Sequence, residues 1–177
     1  MRPTSTLVSE LQAYVASDPI DLVRSALVIA KLEYPRLEPG PSLDELERLG
    51  ARARERIPQA GAAPLRARAE ALNQLFYGEE RFTGNRTHYD DFRNSLLNLV
   101  LERRTGIPIS LALVYMEVAR RAGLDASGIA FPGHFLLRVA AGACGAPISI
   151  ERTDRDLRDA IAEARAADRG TALLYVA

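Results

Sequence analysis

From the N-terminus to Gly123 the apolar residues recur at helical spacing, and after Gly123 the period shortens to that of strands. Leu7, Leu11, Tyr14 and Val15 fall on one helical face. Asp21 is placed to cap a second helix running through Leu22, Ala26 and Ile29 towards Tyr34 and Pro35, and 37–41 reads as a linker. Ser42 followed by Glu45 has the form of a capping box, in which each side chain accepts from an otherwise orphaned backbone amide. It predicts a third helix through Leu43, Leu46 and Leu49. Pro64 suits the first turn of a fourth helix, with Leu65, Leu72, Leu75 and Phe76 apolar and Gly78 placed to stop it.

The stretch 81–91 is polar and irregular, the pattern of a surface loop. Asp91 then caps a helix carrying Leu96, Leu97, Val100 and Leu101, which ends at Arg103 and Arg104, cations suited to a helix C-terminus. Thr105-Gly106-Ile107-Pro108 breaks the pattern. Proline suits the start of a helix, and Leu111, Val114, Tyr115, Val118, Ala119 and Ala122 follow at helical spacing up to Gly123. This is the most apolar helix of the chain and the expected centre of the core. Short β-type runs follow at 127–131, 135–139, 147–151 and 172–176, with Pro132-Gly133 as a turn, and Thr153 caps a last helix through Leu157 and Ile161. Helices first and a small antiparallel sheet afterwards make an α+β domain. The whole chain reads as a single domain, 1–80 its helical part and 81–177 the core helix with its sheet.

Composition narrows the function. The 177 residues, 47% of them hydrophobic, suffice for one buried core. Twenty-three basic residues balance 23 acidic ones, so there is no basic field for nucleic acid or an anionic membrane. Lys31 is the sole lysine, a sign of coding bias more than of function. Cys144 is the sole cysteine, which excludes an internal disulfide and a cage of several thiolates. The polar start lacks the apolar core of a signal peptide, and no apolar run reaches membrane-spanning length. The expectation is a soluble cytoplasmic protein without metal or cofactor, of unspecified oligomeric state.

Of the two histidines, His134 follows Pro132-Gly133 at the start of an apolar strand, where its ring either projects beside the helix opened by Pro108 or is buried against backbone. His88, among Tyr89, Asp90 and Asp91, reads as a solvated loop residue, with no second histidine to make a metal site. Asn94 and Asn98 stand one turn apart on a helical stripe opposite the leucines. Asparagine is a poor helix former, so their amides are expected to bind nearby backbone, with the loop around Gly106 and Pro108 the natural partner.

The run Asn94-Ser95-Leu96-Leu97-Asn98-Leu99-Val100-Leu101-Glu102-Arg103-Arg104-Thr105-Gly106-Ile107-Pro108-Ile109-Ser110-Leu111, then Val114-Tyr115, Val118-Ala119, Arg121, Gly123 and Pro132-Gly133-His134-Phe135-Leu136, closely resembles the SirB-type transglutaminase-like family. The resemblance covers about 77–138 and implies the fold of the transglutaminase and cysteine-protease-like superfamily. Members are often longer, with a helical-repeat region behind this domain, so the chain reads as a short or truncated member. The superfamily, as the resemblance implies, places a cysteine at the start of its central helix, a histidine on the following strand and an aspartate on the next. Gap-free superposition puts Pro108 at the cysteine position and Ser110 two residues on, while His134 matches the histidine. The run 147–150 holds no acid, and Glu151 or Asp154 serve only if the register slips. Cys144 sits among small residues after the histidine strand, without a helix dipole to activate it.

Three functions follow. The first is a non-catalytic transglutaminase-like module that binds or regulates through a peptide or protein partner, its cleft lined by Asn94, Asn98, Pro108, Ser110, Tyr115 and His134. The alternative is a hydrolase or acyltransferase using Ser110, or less readily Cys144, with His134 as base. A third is a folded platform whose partner surface lies away from the cleft, betrayed by a contiguous exposed apolar patch.

Overall fold

The computed structural model describes residues 4–131, 134–140 and 171–175. Among these, helices α1 (Thr4–Val15), α2 (Leu22–Ala30), α3 (Gly40–Arg56), α4 (Leu65–Asn73), α5 (Leu97–Arg103) and α6 (Pro108–Arg121) precede the main sheet. Two short strands, β1 (Thr83–Gly84) and β2 (Thr105–Gly106), pair in parallel on either side of α5 in the chain. The main sheet is antiparallel, in the order β3 (Asp125–Phe131), β4 (His134–Ala140), β5 (Thr171–Tyr175). The architecture is α+β, as the change of period at Gly123 implies. The expected Pro132-Gly133 turn, the strand at 147–151 and the helix capped by Thr153 lie outside the described residues.

Local chemistry sets each helix boundary. Asp21 caps α2 by accepting the Arg24 amide at 2.9 Å. The Ser42–Glu45 box does not form: α3 starts earlier, at Gly40, with Pro39 at its cap and Pro41 in the first turn. That leaves Ser42 buried inside the helix and frees Glu45 to meet Arg48 and Arg104. Gly78 does not stop α4, which widens instead into a π-helical turn, Gln74–Glu79. Asp91 does cap, accepting from the Arg93 amide at 3.0 Å, but what it caps is a short 3-10 turn, Phe92–Asn94. Leu96 then takes extended backbone and α5 begins only at Leu97. It ends on Arg104, whose left-handed φ of 55° breaks the helix. Asn94 and Asn98 therefore stand on different elements and do not share a helical stripe. The helix from Pro108 is as expected, and Gly123, at φ 72°, ends it.

Helix α6 is the centre of the core. Leu111, Val114, Tyr115, Val118 and Ala119 are all buried and join one cluster with Leu46 and Leu49 of α3, Leu97 and Val100 of α5, and Leu137 and Val139 of β4. Gly50 allows α3 to approach α6, since a Cβ there would stand 2.6 Å from the Cβ of Arg121. Above α6, Phe76 stacks on Phe82 with centroids 4.3 Å apart and meets Tyr115 edge-on at 5.2 Å. The Tyr115 hydroxyl donates to Asn73 Oδ1 at 2.9 Å, and burial pushes its phenol well above the usual range.

A charged network clamps the π-helical turn to α3 and to the end of α5. The buried Glu80 carboxylate accepts from Arg48 at 2.7 Å, from Arg52, and from Arg104 at 3.3 Å, while the Arg104 guanidinium lies 4.8 Å from the centroid of the Phe82 ring. Glu45 shares Arg48 and Arg104. Its hydrogen bond to Arg48 chiefly, and Arg104 in addition, hold its carboxyl down from 4.5 to about 2. A depressed carboxyl contributes stability that is complete above its unfolded value and is lost as pH falls towards the folded one. Stability should thus fall as pH drops from about 4.5 towards 2, and Glu45→Gln should flatten that fall while lowering stability at neutral pH. Urea midpoints across that window check this; an unchanged slope in the variant would show that Glu45 does not carry the effect.

Candidate functional site

The expected cleft lies at the opening of α6, where an unusual cap operates. Ile107, at the N-cap position, has no side-chain acceptor to offer the first amides of the helix. Ser110 compensates from within the first turn. Its Oγ accepts from the Ile107 amide at 3.1 Å and lies 2.6 Å from the Asn94 carbonyl oxygen and 3.0 Å from that of Ile107. The single hydroxyl proton is best directed to Asn94, at the shorter distance. Gly106 is needed here, because a Cβ would stand 2.6 Å from Ser110 Oγ and 3.2 Å from both methyls of Val100.

Asn94 is the hub of this region and is wholly buried. Its Nδ2 donates to the carbonyls of His88 at 2.8 Å and Tyr89 at 3.3 Å, and its Oδ1 accepts from Asn85 Nδ2 at 3.1 Å. Its own carbonyl receives Ser110 Oγ and, at 3.3 Å, the Ile107 amide. The side chain does bind backbone, as its poor helical propensity implies. The partner is the polar loop at 88–89, and the Gly106–Pro108 side is reached by the main chain of Asn94.

Of the other candidates, Tyr115 is fully buried under the aromatic cluster, and Pro108 is half-buried at the first turn of α6. Asn98 is half-buried on α5, its Oδ1 closed off without a hydrogen-bond partner. His134 opens β4 with its backbone in register with Phe131, while its ring lies outside the described residues, as do Cys144, Glu151 and Asp154. His88 is exposed, with Nδ1 3.2 Å from Thr87 Oγ1. Among the described residues no group of three His, Cys, Asp or Glu side chains is placed to hold a metal, and no helix is long and apolar enough to cross a membrane.

Three exposed apolar side chains gather on the elements that Asn94 and Ser110 tie together. Tyr89 in the loop, Phe92 on the 3-10 turn and Ile109 in the first turn of α6 are each more than half exposed, at 58%, 56% and 56%. Sequence reading passed over them. Ile109 is nevertheless one residue before Ser110 and off the Leu111–Val114–Tyr115–Val118 face, so the phase of α6 turns it away from the core.

A separate cavity of about 1280 Å³ lies further along, between the start of α2, α3, the start of α4, the C-terminal half of α6 and the start of β3. It shares α6 with the opening at Pro108 but is lined from Leu113 onwards along that helix.

Taken together, a central helix opened by proline, packed on an antiparallel sheet and fed by a helical N-terminal half, defines an α+β protein of transglutaminase-like build. The family model described as "Transglutaminase-like superfamily" matches residues 41–156, and the chain belongs to that superfamily. The UPF0162 protein of Xylella fastidiosa is 39% identical over 127 residues, covering 72% of this chain and 44% of that protein. The UPF0162 protein PA3419 of Pseudomonas aeruginosa is 40% identical over 129 residues, 71% of this chain and 45% of that protein. F-box only protein 21 of Mus musculus is 46% identical over 81 residues, 46% of this chain and 13% of that protein. The chain thus spans less than half the length of its bacterial relatives. No solved structure matches it significantly.

The clasp between Asn94 and Ser110 has a direct test. Ser110→Ala removes the donor to a buried carbonyl and the acceptor of the Ile107 amide, and should cost about 1–3 kcal/mol. Asn94→Ala keeps the carbonyl that Ser110 binds but strips the loop carbonyls of their donor, which loosens the turn that carries that carbonyl and should lower amide-exchange protection at the opening of α6. Chemical denaturation and hydrogen exchange measure both; losses under about 0.5 kcal/mol, the range of ordinary surface changes, would count against the clasp.

Proposed function

We propose that this transglutaminase-like domain works as a peptide- or protein-binding module, regulatory in use and cytoplasmic in setting, that has given up the covalent chemistry of its superfamily. The observation that carries this reading is the state of the one hydroxyl at the opening of the central helix. Ser110 Oγ is buried and engaged by Asn94 and Ile107, so the oxygen is spent on holding backbone together and is not presented to a substrate. A nucleophile needs the opposite, an exposed oxygen with a base in reach. Pro108, which the resemblance sets in the cysteine position, has no nucleophilic atom. The competing reading, acyl transfer by Ser110 or Cys144 with His134, has to break the Asn94 clasp before Ser110 acts.

In this proposal the binding face consists of Pro108 and Asn98 together with the exposed Tyr89, Phe92 and Ile109, His134 being added on the resemblance alone, while Asn94, Ser110 and Tyr115 shape it from beneath. Exposed aromatic and aliphatic side chains on a rigid support suit recognition of a partner's apolar residues. The likeness to 13% of the F-box only protein and to less than half of the UPF0162 proteins fits a portable module joined to different companions.

The experiment has two arms. Ester and amide substrates offered to wild type, Ser110→Ala and His134→Ala should show no turnover above background in any of them; turnover that either substitution removes would overturn the proposal. Peptide-display selection should yield binders that Ile109→Arg rejects by tenfold or more, since a charge at the centre of an apolar contact is desolvated without a partner.

A further inference from the structure

We infer that the cavity beside the C-terminal half of α6 is a second recognition pocket, built for the carboxy-terminal end of a peptide, with Arg68 as the carboxylate receptor. This rests on the reading of the domain as a peptide-binding module and assigns it a ligand chemistry and a place away from the opening of α6.

The first observation is a buried cation without a counter-ion. Arg68 is only 7% exposed, and its guanidinium donates to two backbone carbonyls, Pro58 at 2.8 Å from Nε and Gly123 at 3.1 Å from Nη2. Among the described residues it has no carboxylate partner. The other guanidiniums of the cavity wall are all paired: Arg24 with Asp21, Arg120 with Glu117, and Arg121 with Glu47 and Glu117. Of the five N–H donors of Arg68 two are spent, and a guanidinium with donors to spare is shaped for a bidentate carboxylate. Leaving such a charge buried without a carboxylate is costly, so an anion that reaches Arg68 meets a local demand on a wall that otherwise carries Asp21, Asp44, Glu47, Glu117 and Asp125.

The second observation is an orphaned acceptor on the same wall. Asp125, two residues beyond the Gly123 that Arg68 holds, lines the cavity, and its Oδ2 is closed off from solvent with no hydrogen-bond donor. A ligand that spans the two residues presents a carboxylate to Arg68 and an N–H to the open side of the Asp125 carboxylate. The end of a peptide chain has that pair, and a fatty acid does not.

The third observation is the shape and chemistry of the space between. Leu65, Leu113, Met116 and Leu124 supply an apolar wall for the last side chain of the ligand. At about 1280 Å³ the cavity exceeds the ~300–1,000 Å³ of most small-molecule sites. Asp125 and Ala126 also begin β3, which among the described residues pairs only with β4, so an extended peptide finds a strand edge beside its binding groups.

The test uses the whole chain and N-terminally fluorescein-labelled hexapeptides ending in Leu, Val or Phe, each made as free acid and as amide, read by fluorescence anisotropy. At least one free acid should bind, with its amide at least tenfold weaker. Met116→Trp, which puts an indole into the apolar wall without removing either hydrogen bond of Arg68, should weaken that binding, and so should Arg68→Lys, which keeps the charge but loses the fork. Ile109→Arg should leave it unchanged. Equal binding of acid and amide overturns the inference, as does decanoate competing as tightly as the best peptide, or no binding by any free acid. Peptide binding that Ile109→Arg removes and Met116→Trp spares also overturns it while leaving the proposed function standing; display selections that yield no binders to either surface bring down the proposed function itself.

Discussion

One hydrogen bond, from the Ser110 hydroxyl to the carbonyl of Asn94, fixes how the polar loop, the 3-10 turn and the central helix meet. Helix α6 begins at a residue whose side chain cannot cap, and the amide of that residue is received by Ser110 from within the first turn. That oxygen is held in place from the other side by the carbonyl of a buried asparagine whose amide organises the loop at 88–89. Each member satisfies a group that would otherwise be buried and unpaired, which is why removing any one exposes the cost of the others. Gly106 belongs to the same unit, since the space a side chain would need is already occupied by Ser110 and Val100.

The consequence for function is a conflict of duties. A serine at the start of a helix is well situated for nucleophilic chemistry, with amides near at hand, yet here the same position must close the helix and bind the neighbouring turn. Both duties use the same lone pairs and the same proton. On the proposed reading, a proline at the first position and a serine committed to backbone leave the architecture intact while withdrawing the reactive atom. What the architecture retains is surface: apolar side chains raised at the opening of α6, and a separate cavity whose wall carries an unpaired buried guanidinium.

The arginine-rich composition has a structural use as well. Glu80, almost wholly buried, gathers three guanidiniums from α3 and the end of α5, and Arg104 adds its planar face to Phe82. Lysine has neither the fork nor the flat face for this, so the coding bias towards arginine suits the network. The pairing also shows why Arg68 stands out: among the described residues most arginines are matched to carboxylates, whereas it rests on two carbonyls.

The sequence by itself determined the helical half, the apolar helix from Pro108 to Gly123, the change to strands and the family, because these rest on periodicity and on punctuation by proline and glycine, which are local. It also marked Asn94 as a residue that binds backbone, from its poor helical propensity. Tertiary structure decided which candidate residues are surface and which are interior. Asn94, Ser110 and Tyr115 stand on the cleft in the reading by resemblance, but packing of α5, the loop and α6 closed over them. The Ser42–Glu45 pair looked like a cap because local spacing allowed it, and lost that role because α3 starts earlier, at Gly40, which frees Glu45 for Arg48 and for Arg104 from the end of α5. The cavity and the guanidinium of Arg68 had no local signature at all, since Arg68, Leu113 and Asp125 come together only when α4, α6 and β3 converge.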